Sequence, residues 1–434
     1  MKIAYICADL GIPVLGHKGA SVHVREFTNA LVELGHDVHL VSAAGIGRDA
    51  VSVAPDAVKS HLTVLPPSVG TGALANRFAD NLLRLGWSRD PAHVRSEMRH
   101  VLADAEFTDA ALPVLRDFAP ELVIARHAIF SVAGLELARA VGCPWALEVN
   151  APLSEERRRY WGLTLVDVAE QAERTAFAGA DVLVAVSDGV REYLLRCGAS
   201  ADRIAVLPNG VNLATFHPAV DGSAIRRRYG LDGRIVIGFA GSLKPWHGVE
   251  LLLRAFADAR YALAAHDDQR AAPVALHLLI VGEGPQRASL TELADTLGIA
   301  GHVTFTGAVP HRDVPAHLAA LDIAVAPYQA SDGFYFSPLK IIEYLAVGLP
   351  VIAPRLGQIP SLLQEGSNAC GLLYLPDDRH ELCCALVRLV RDEGMRRMHS
   401  ARGSERARQR HSWQATAQQV VQRAAACTRR AILS

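Results

Sequence analysis

Short apolar runs that alternate with glycine turns and helical stripes leave few folds open to this chain of 434 residues. The first run, Lys2-Ile-Ala-Tyr-Ile-Cys-Ala8, is short enough to be a strand of a buried parallel sheet. From Ser21 onward Val24, Phe27, Leu31 and Leu34 recur at helical spacing, and Gly35 ends the stripe before the strand Asp37–Ser42. That is one βαβ unit. Leu122–Ala125, Trp145–Val149 and Val182–Val186 read as further strands, near helical stretches over Ser131–Val141 and Glu155–Phe177. Residues 1–205 therefore read as one doubly wound α/β domain.

The pattern then restarts. Leu207-Pro-Asn-Gly-Val-Asn212 and Phe216-His-Pro218 form a turn-rich connection. Beyond it come the strand Ile235–Phe239, a helix Val249–Arg260, the strand His277–Val281, a helix near Gln286–Leu297, and the strands Val303–Phe305 and Ile323–Ala326. The expectation is two Rossmann-like domains, 1–205 and 206–411, facing one another, with ligands at the carboxyl ends of both sheets and hence in the cleft between them. Residues 66–110 are too long for a normal βα connection and read as a helical insertion, with a helix over Ala92–Ala105.

Composition removes several function classes. With 44 Lys+Arg against 45 Asp+Glu the net charge is −1, which excludes a nucleic-acid binder that relies on bulk positive charge, and half the residues are apolar, which excludes a disordered chain. No apolar run approaches the roughly 18 residues of a membrane span, and Asp9 interrupts the N-terminal run too early for a signal peptide, so a cytoplasmic protein is expected. The seven cysteines lack metal-type spacing, and Cys383 and Cys384 are adjacent; reduced structural thiols are expected. His17 with His23, and His36 with His39, have no acids or cysteines at ligand spacing, so no metal is assigned. No Walker A loop, G-x-S-x-G elbow or strand-linked G-x-G-x-x-G is present. Arg388–Arg430 holds eleven arginines against three acids; this reads as a solvated helical surface, with peripheral contact to anionic lipid at the inner face of the membrane as the second reading.

The most informative stretch is Ser331-Asp-Gly-Phe-Tyr-Phe-Ser-Pro-Leu-Lys-Ile-Ile-Glu-Tyr-Leu-Ala-Val-Gly-Leu-Pro350. Ser337 suits an N-cap and Pro338 the first helical position, which leaves the N–H groups of Leu339 and Lys340 free to meet an anion. The positive helix end, the Ser337 hydroxyl and Lys340 together suit a diphosphate, and Glu343 one turn on can accept hydrogen bonds from sugar hydroxyls.

With this stretch, the chain resembles the retaining GT-B glycosyltransferases of family 4, which transfer sugars from nucleotide-sugar donors. The resemblance rests on Lys18-Gly-Ala20, Leu34-Gly-His-Asp-Val38, Ser187-Asp-Gly-Val-Arg-Glu-Tyr-Leu194, Pro208-Asn-Gly-Val-Asn212, Phe239-Ala-Gly-Ser-Leu-Lys-Pro-Trp-His-Gly248, Val281-Gly-Glu-Gly-Pro-Gln-Arg287, Val303-Thr-Phe-Thr-Gly307 and Glu343-Tyr-Leu-Ala-Val-Gly-Leu-Pro-Val351, in that order. It implies a two-domain GT-B fold whose last helix, over 412–427, packs back on the first domain. It also implies that Glu343 is the second acid of the E-x7-E motif and holds the nucleotide ribose. The position of the first acid is Tyr335; the acidic signature appears three residues earlier as Asp332-Gly333-Phe334, so either a longer loop lets Asp332 still reach the donor sugar or that contact has been replaced, and the favoured reading is a backbone-dominated loop with Asp332 as the substitute.

A second departure follows Phe239. Where the family places an Arg and, five residues later, a Lys against the diphosphate, this chain has Ser242 and His247. The leaving diphosphate needs positive charge, and Lys244 is the candidate, with His247 as donor or second cation. The resemblance further places the Gly19 loop near the donor phosphates, the base against the backbone around Gly307–Val309, and a sugar-contacting histidine near His127. Asn150 and Glu155, beyond the strand Trp145–Val149, are candidate acceptor contacts, though Ser154 capping a helix with Glu155 and Glu156 in its first turn accounts for them equally well. The implied activity is transfer of a sugar from a UDP or GDP sugar to a small-molecule, glycan or lipid-linked acceptor, with no cofactor or metal. A nucleotide-sugar epimerase, a phosphorylase carrying pyridoxal phosphate and a non-catalytic nucleotide-sugar-binding protein are the alternatives.

Overall fold

A computed structural model describes residues 1–16, 18–45, 57–88, 90–265, 275–330, 334–335 and 337–433, the side chains of 428–433 excepted. The chain divides into two compact units: Met1–Asn209 with Tyr335–Ser337 and Trp413–Ser434, and Gly210–Phe334 with Pro338–Ser412.

The first unit runs β1 (Lys2–Cys7), α1 (Gly19–Glu33), β2 (Asp37–Ser42), β3 (His61–Val64), α2 (Val69–Arg84), α3 (Pro91–Phe118), β4 (Leu122–Arg126), α4 (Ala133–Val141), β5 (Trp145–Val149), α5 (Leu153–Tyr160), α6 (Val166–Gly179), β6 (Val182–Ala185), α7 (Asp188–Arg196) and β7 (Ile204–Val206). Its seven strands are all parallel, in the order β3-β2-β1-β4-β5-β6-β7. Ile3 to Cys7 are fully buried, as a strand covered on both faces requires. The 66–110 insertion is helical, as the packed pair α2 and α3, the latter running on to Phe118; α3 starts where Asp90 accepts from the N–H groups of Ala92 and His93 with Pro91 at the first position, and ends at Ala119 in the left-handed region.

The single helix expected over Glu155–Phe177 is two, α5 and α6. The break falls at Trp161–Leu165: Gly162 adopts φ +83°, and the buried Glu97 of α3 accepts the N–H groups of Thr164 and Leu165 at 2.8 and 2.7 Å, which hold those residues out of a helix. Nor does Ser154 cap α5. Pro152 occupies the cap position, and the Ser154 N–H and hydroxyl both donate to Glu173.

The second unit runs α8 (Ser223–Tyr229), β8 (Ile235–Ala240), α9 (Val249–Ala265), β9 (Leu276–Val281), α10 (Arg287–Thr296), β10 (Val303–Phe305), α11 (Val314–Ala319), β11 (Ile323–Val325), α12 (Leu339–Val347), β12 (Val351–Pro354), α13 (Ile359–Leu363), β13 (Gly371–Tyr374), α14 (Arg379–Arg391) and α15 (Glu393–Arg410). Its six parallel strands are ordered β10-β9-β8-β11-β12-β13. In both sheets the order reverses beside the first strand, the switch point that opens a crevice at the carboxyl ends. The last helix, α16 (Trp413–Leu433), belongs to the first unit. Trp413 sets its edge against His23 and Phe27 of α1, at ring distances of 4.8 and 6.4 Å, and Gln414 donates to Glu33 at 2.6 Å.

Candidate active site

In the second unit the carboxyl ends of β8 and β9 turn away through glycines that pack backbone on backbone. A Cβ on Gly282 would lie 2.0 Å from the Gly241 carbonyl oxygen, so only glycine permits the two turns to touch. Hydrogen bonds from Gly241 N–H to the Val281 carbonyl and from Leu243 N–H to the Glu283 carbonyl tie them together. At the end of β8 the Tyr344 hydroxyl of α12 accepts the Ala240 N–H at 2.8 Å, which anchors α12 against the turn.

Lys340, in the first turn of α12, points its ammonium between two aromatic rings, 4.4 Å from the centre of Phe239 and 4.7 Å from that of Tyr328. Its Nζ is buried and has no hydrogen-bond partner among the described residues. Burial pulls its pKa down to about 7, against the opposing pull of the Glu343 carboxylate. Glu343 faces the same region and pairs with Nε2 of His311 at 3.2 Å, and His311 in turn lies over Phe216 at 5.5 Å. A partnerless buried ammonium is costly to the fold, and a diphosphate would supply the missing acceptors.

Ser337 is not the cap of α12. Pro338 takes that position with no side-chain bond, because Asn209 consumes Ser337: the Asn209 N–H donates to its hydroxyl at 2.9 Å and the Asn209 amide to its carbonyl at 3.0 Å. The first N–H groups of α12, including that of the half-buried Leu339, are therefore left without a side-chain cap, which suits an anion. Asp332 lies outside the described residues.

In the loop after β8, Lys244 is exposed, its ammonium 4.8 Å above the ring of Trp246. His247 is not a second cation. Burial, then Lys340 and Lys244, push its pKa down to about 3, and its Nδ1–H donates to the Ser242 carbonyl, so the neutral ring keeps only Nε2 for other contacts. Ser242 itself is exposed. Lys244→Ala should lower kcat/KM for sugar transfer about tenfold, the value of one charge-assisted hydrogen bond, with the thermal midpoint unchanged; an unaltered rate would remove Lys244 from the phosphate site. Gly307, at φ +76°, bridges Gly282 in an antiparallel pair, and Val309 packs on the core that holds Ile341 and Tyr344.

In the first unit, Gly19 opens α1 exposed, with nothing within 4 Å of where a Cβ would stand. The loop before it is held by Arg25, which donates to the carbonyls of Val14 and Gly16 at 2.6 and 2.7 Å. His127, expected to face the sugar, is a buried ring packed on Phe177 of α6 at 5.2 Å, with Glu173 3.5 Å from its Nε2 and neither ring nitrogen hydrogen-bonded among the described residues. Burial lowers its pKa. Asn150 keeps a buried amide nitrogen without a partner among the described residues. Glu155 makes a surface pair with Arg196 at 3.0 Å. Sequence reasoning missed Glu148, held by the Tyr5 hydroxyl and by His23 at 3.2 Å; against burial, which alone would raise it, His23 and Tyr5 keep its pKa low. A carboxylate inside an otherwise apolar strand was the available signal. His311, Phe239 and Tyr328 were missed too, the two rings because they look like ordinary core residues.

Among the described residues no cluster of His, Cys, Asp and Glu is arranged to hold a metal ion, and no helix is long and apolar enough to cross a membrane.

Residues 17–215 match the family described as Glycosyltransferase Family 4, and residues 234–392 match that described as Glycosyl transferases group 1. A GDP-mannose-dependent alpha-(1-6)-phosphatidylinositol monomannoside mannosyltransferase of Mycolicibacterium smegmatis is 33% identical over 211 residues, 48% of this chain and 53% of that protein. The D-inositol 3-phosphate glycosyltransferase of Nocardia farcinica is 35% identical over 238 residues, 53% of this chain and 49% of that protein. The chain thus spans about half the length of these curated relatives; against the D-inositol 3-phosphate glycosyltransferase of Thermobifida fusca it is 27% identical over 92% of this chain and 86% of that protein. Among solved structures, Anabaena Alr3699/HepE in complex with UDP-glucose superposes with a TM-score of 0.69 at 18% identity, covering 97% of this chain and 98% of that one. The sucrose-phosphate synthase of Thermosynechococcus elongatus gives 0.66 at 20% identity, covering 97% of each chain. Over residues 17–215 and then 234–392 the chain thus resembles the two glycosyltransferase families in that order, on a GT-B fold.

Proposed function

We propose that this protein is a retaining glycosyltransferase that moves a sugar from a UDP or GDP sugar to a hydroxyl of a small-molecule, glycan or lipid-linked acceptor in the cytoplasm. The observation that carries this reading is the Lys340 ammonium, buried and without an acceptor among the described residues, at an uncapped helix start one turn from Glu343. In this reading Lys340, the N–H groups of α12 and Lys244 take the diphosphate. Glu343 takes the ribose, with His311 orienting its carboxylate, and the backbone near Gly307–Val309 takes the base. The relative that uses GDP-mannose and the neighbour that holds UDP-glucose support these two nucleotides. The first unit supplies the acceptor.

The acceptor oxygen forms its bond to the anomeric carbon as the carbon–oxygen bond to the diphosphate breaks. The departing phosphate oxygen takes the acceptor proton on the same face, so configuration is retained and no protein nucleophile is needed. The enzyme's contribution is positioning and stabilisation of the leaving charge. UDP or GDP near a hundred times its Kd should raise the thermal midpoint by roughly 5 °C or more, and Glu343→Ala should weaken that shift. No shift with UDP, GDP, ADP or TDP would reject the reading, and a product of inverted configuration would reject retention.

A further inference from the structure

The start of α12 departs from what its own residues favour. Ser337-Pro338-Leu339-Lys340 offers a serine for the cap and a proline for the first helical position. In the structure Pro338 is the cap instead, at φ −77° and ψ 92°. Turning ψ of Pro338 by roughly 130°, to the helical value near −42°, would add it to the helix and put Ser337 at the cap. The serine hydroxyl would then accept the N–H of Leu339 or Lys340, the groups that stand open to an anion in the present arrangement.

What holds the serine away is a buried chain of side chains in the first unit. Asn209 donates its N–H to the Ser337 hydroxyl at 2.9 Å and its side-chain amide to the Ser337 carbonyl at 3.0 Å. A carbonyl only accepts, so Nδ2 of Asn209 is spent on Ser337 and Oδ1 faces Nδ1 of His23, at 2.9 Å. His23 meets Glu148 through Nε2 at 3.2 Å, and Glu148 also takes the Tyr5 hydroxyl. All five residues are buried and belong to the first unit. The edge of Trp413 lies against the His23 ring, and the Ser187 hydroxyl donates at 2.6 Å to the carbonyl of Tyr335, two residues before Ser337. A buried polar chain whose members all have partners is rigid, and this one ends on Ser337.

We propose that Asn209, backed by His23 and Glu148, is a positioning residue: it keeps Ser337 from capping α12 and so leaves the helix start open to the donor diphosphate. The proposal rests on the donor reading given above. A serine cap favours the capped form by a population ratio of about five. Without Asn209 that form would dominate, and the apparent donor affinity would fall by the same factor, because only the uncapped fraction binds. The effect passes through Ser337 and needs no contact between the donor and Asn209, His23 or Glu148.

The test is calorimetric titration of UDP and of GDP into the full chain and its variants. For a nucleotide that the wild type binds, Asn209→Ala should weaken affinity about fivefold. His23→Phe keeps an aromatic ring against Trp413 but loses both hydrogen bonds, and should weaken affinity in the same direction. Ser337→Ala removes the competing cap: added to either variant it should restore the lost affinity, and alone it should bind at least as tightly as the wild type. A merely structural defect at Asn209 or His23 would not be repaired by a further deletion. Wild-type affinity in both Asn209→Ala and His23→Phe, or a loss that Ser337→Ala fails to restore, would overturn the proposal. So would weakened binding in Ser337→Ala alone, which gives up the one hydrogen bond its hydroxyl makes among the described residues and keeps the fold even where the other two variants do not. A wild type that binds neither nucleotide would reject the donor reading and this proposal with it, whereas a binding wild type with unaltered variants rejects the role of Asn209 alone.

Discussion

Lys340→Met lowers kcat/KM for sugar transfer by about 10²–10³-fold, the loss seen when one preorganised donor to a developing anion is removed, and leaves the chain folded. The structural reason for the second half is the environment of the ammonium. Phe239 and Tyr328 lie on either side and no hydrogen-bond acceptor is present among the described residues, so methionine of similar length replaces a charge that the fold holds at a cost. The sign of the pH effect separates this from a structural defect. The folded-state pKa, about 7, lies below the ordinary value of 10.5. Between those limits the unfolded chain binds more protons than the folded one, so this group makes stability rise with pH across that window. The methionine variant should lose that slope in urea midpoints measured from pH 7 to 10. Wild-type donor affinity should weaken as pH climbs past 7, where the free enzyme sheds the proton, and the variant should be flat. A variant with wild-type transfer rate would overturn the phosphate role of Lys340.

Gly248→Ala should cost about 3–5 kcal/mol and should also remove nucleotide binding. Gly248 stands at φ +65°, and a Cβ there would lie 1.8 Å from the Pro327 carbonyl oxygen, a backbone atom that cannot turn aside. Pro327 leads into Tyr328, one wall of the Lys340 site, and the Gln329 N–H donates to the Trp246 carbonyl at 3.2 Å, so the loop after β8 and the loop after β11 move together. Gly198→Ala is the comparison: its φ is +88° but nothing lies within 4 Å of the added carbon, and the expected cost is about 1 kcal/mol. Equal thermal midpoints for the two variants would show that the close approach is relieved cheaply.

Much of the fold was legible because a buried parallel strand announces itself locally. Trp145–Val149, Asp37–Ser42 and Val303–Phe305 are read from the residues with the bounds the structure has; in each, an apolar run is closed by turn residues close by in sequence. The helix over Glu155–Phe177 was misread because what breaks it is remote: Glu97 lies 67 residues from the Thr164 N–H it accepts. Ser337 was misread as a cap for the same reason, since its competitor Asn209 is 128 residues away.

The chemistry divides along that line. Sequence alone determined the α/β class, the alternation that restarts after residue 206, and the identity of Lys340 and Glu343 as groups at a helix start, because spacing and composition within a few residues carry those facts. Only the tertiary structure decided what these groups touch and how burial shifts the titration of Lys340. Phe239 and Tyr328 close around Lys340, His311 meets Glu343, and burial keeps His247 neutral. Protonation and hydrogen bonding depend on what surrounds a side chain in space, and residues on separate strands and helices supply those surroundings.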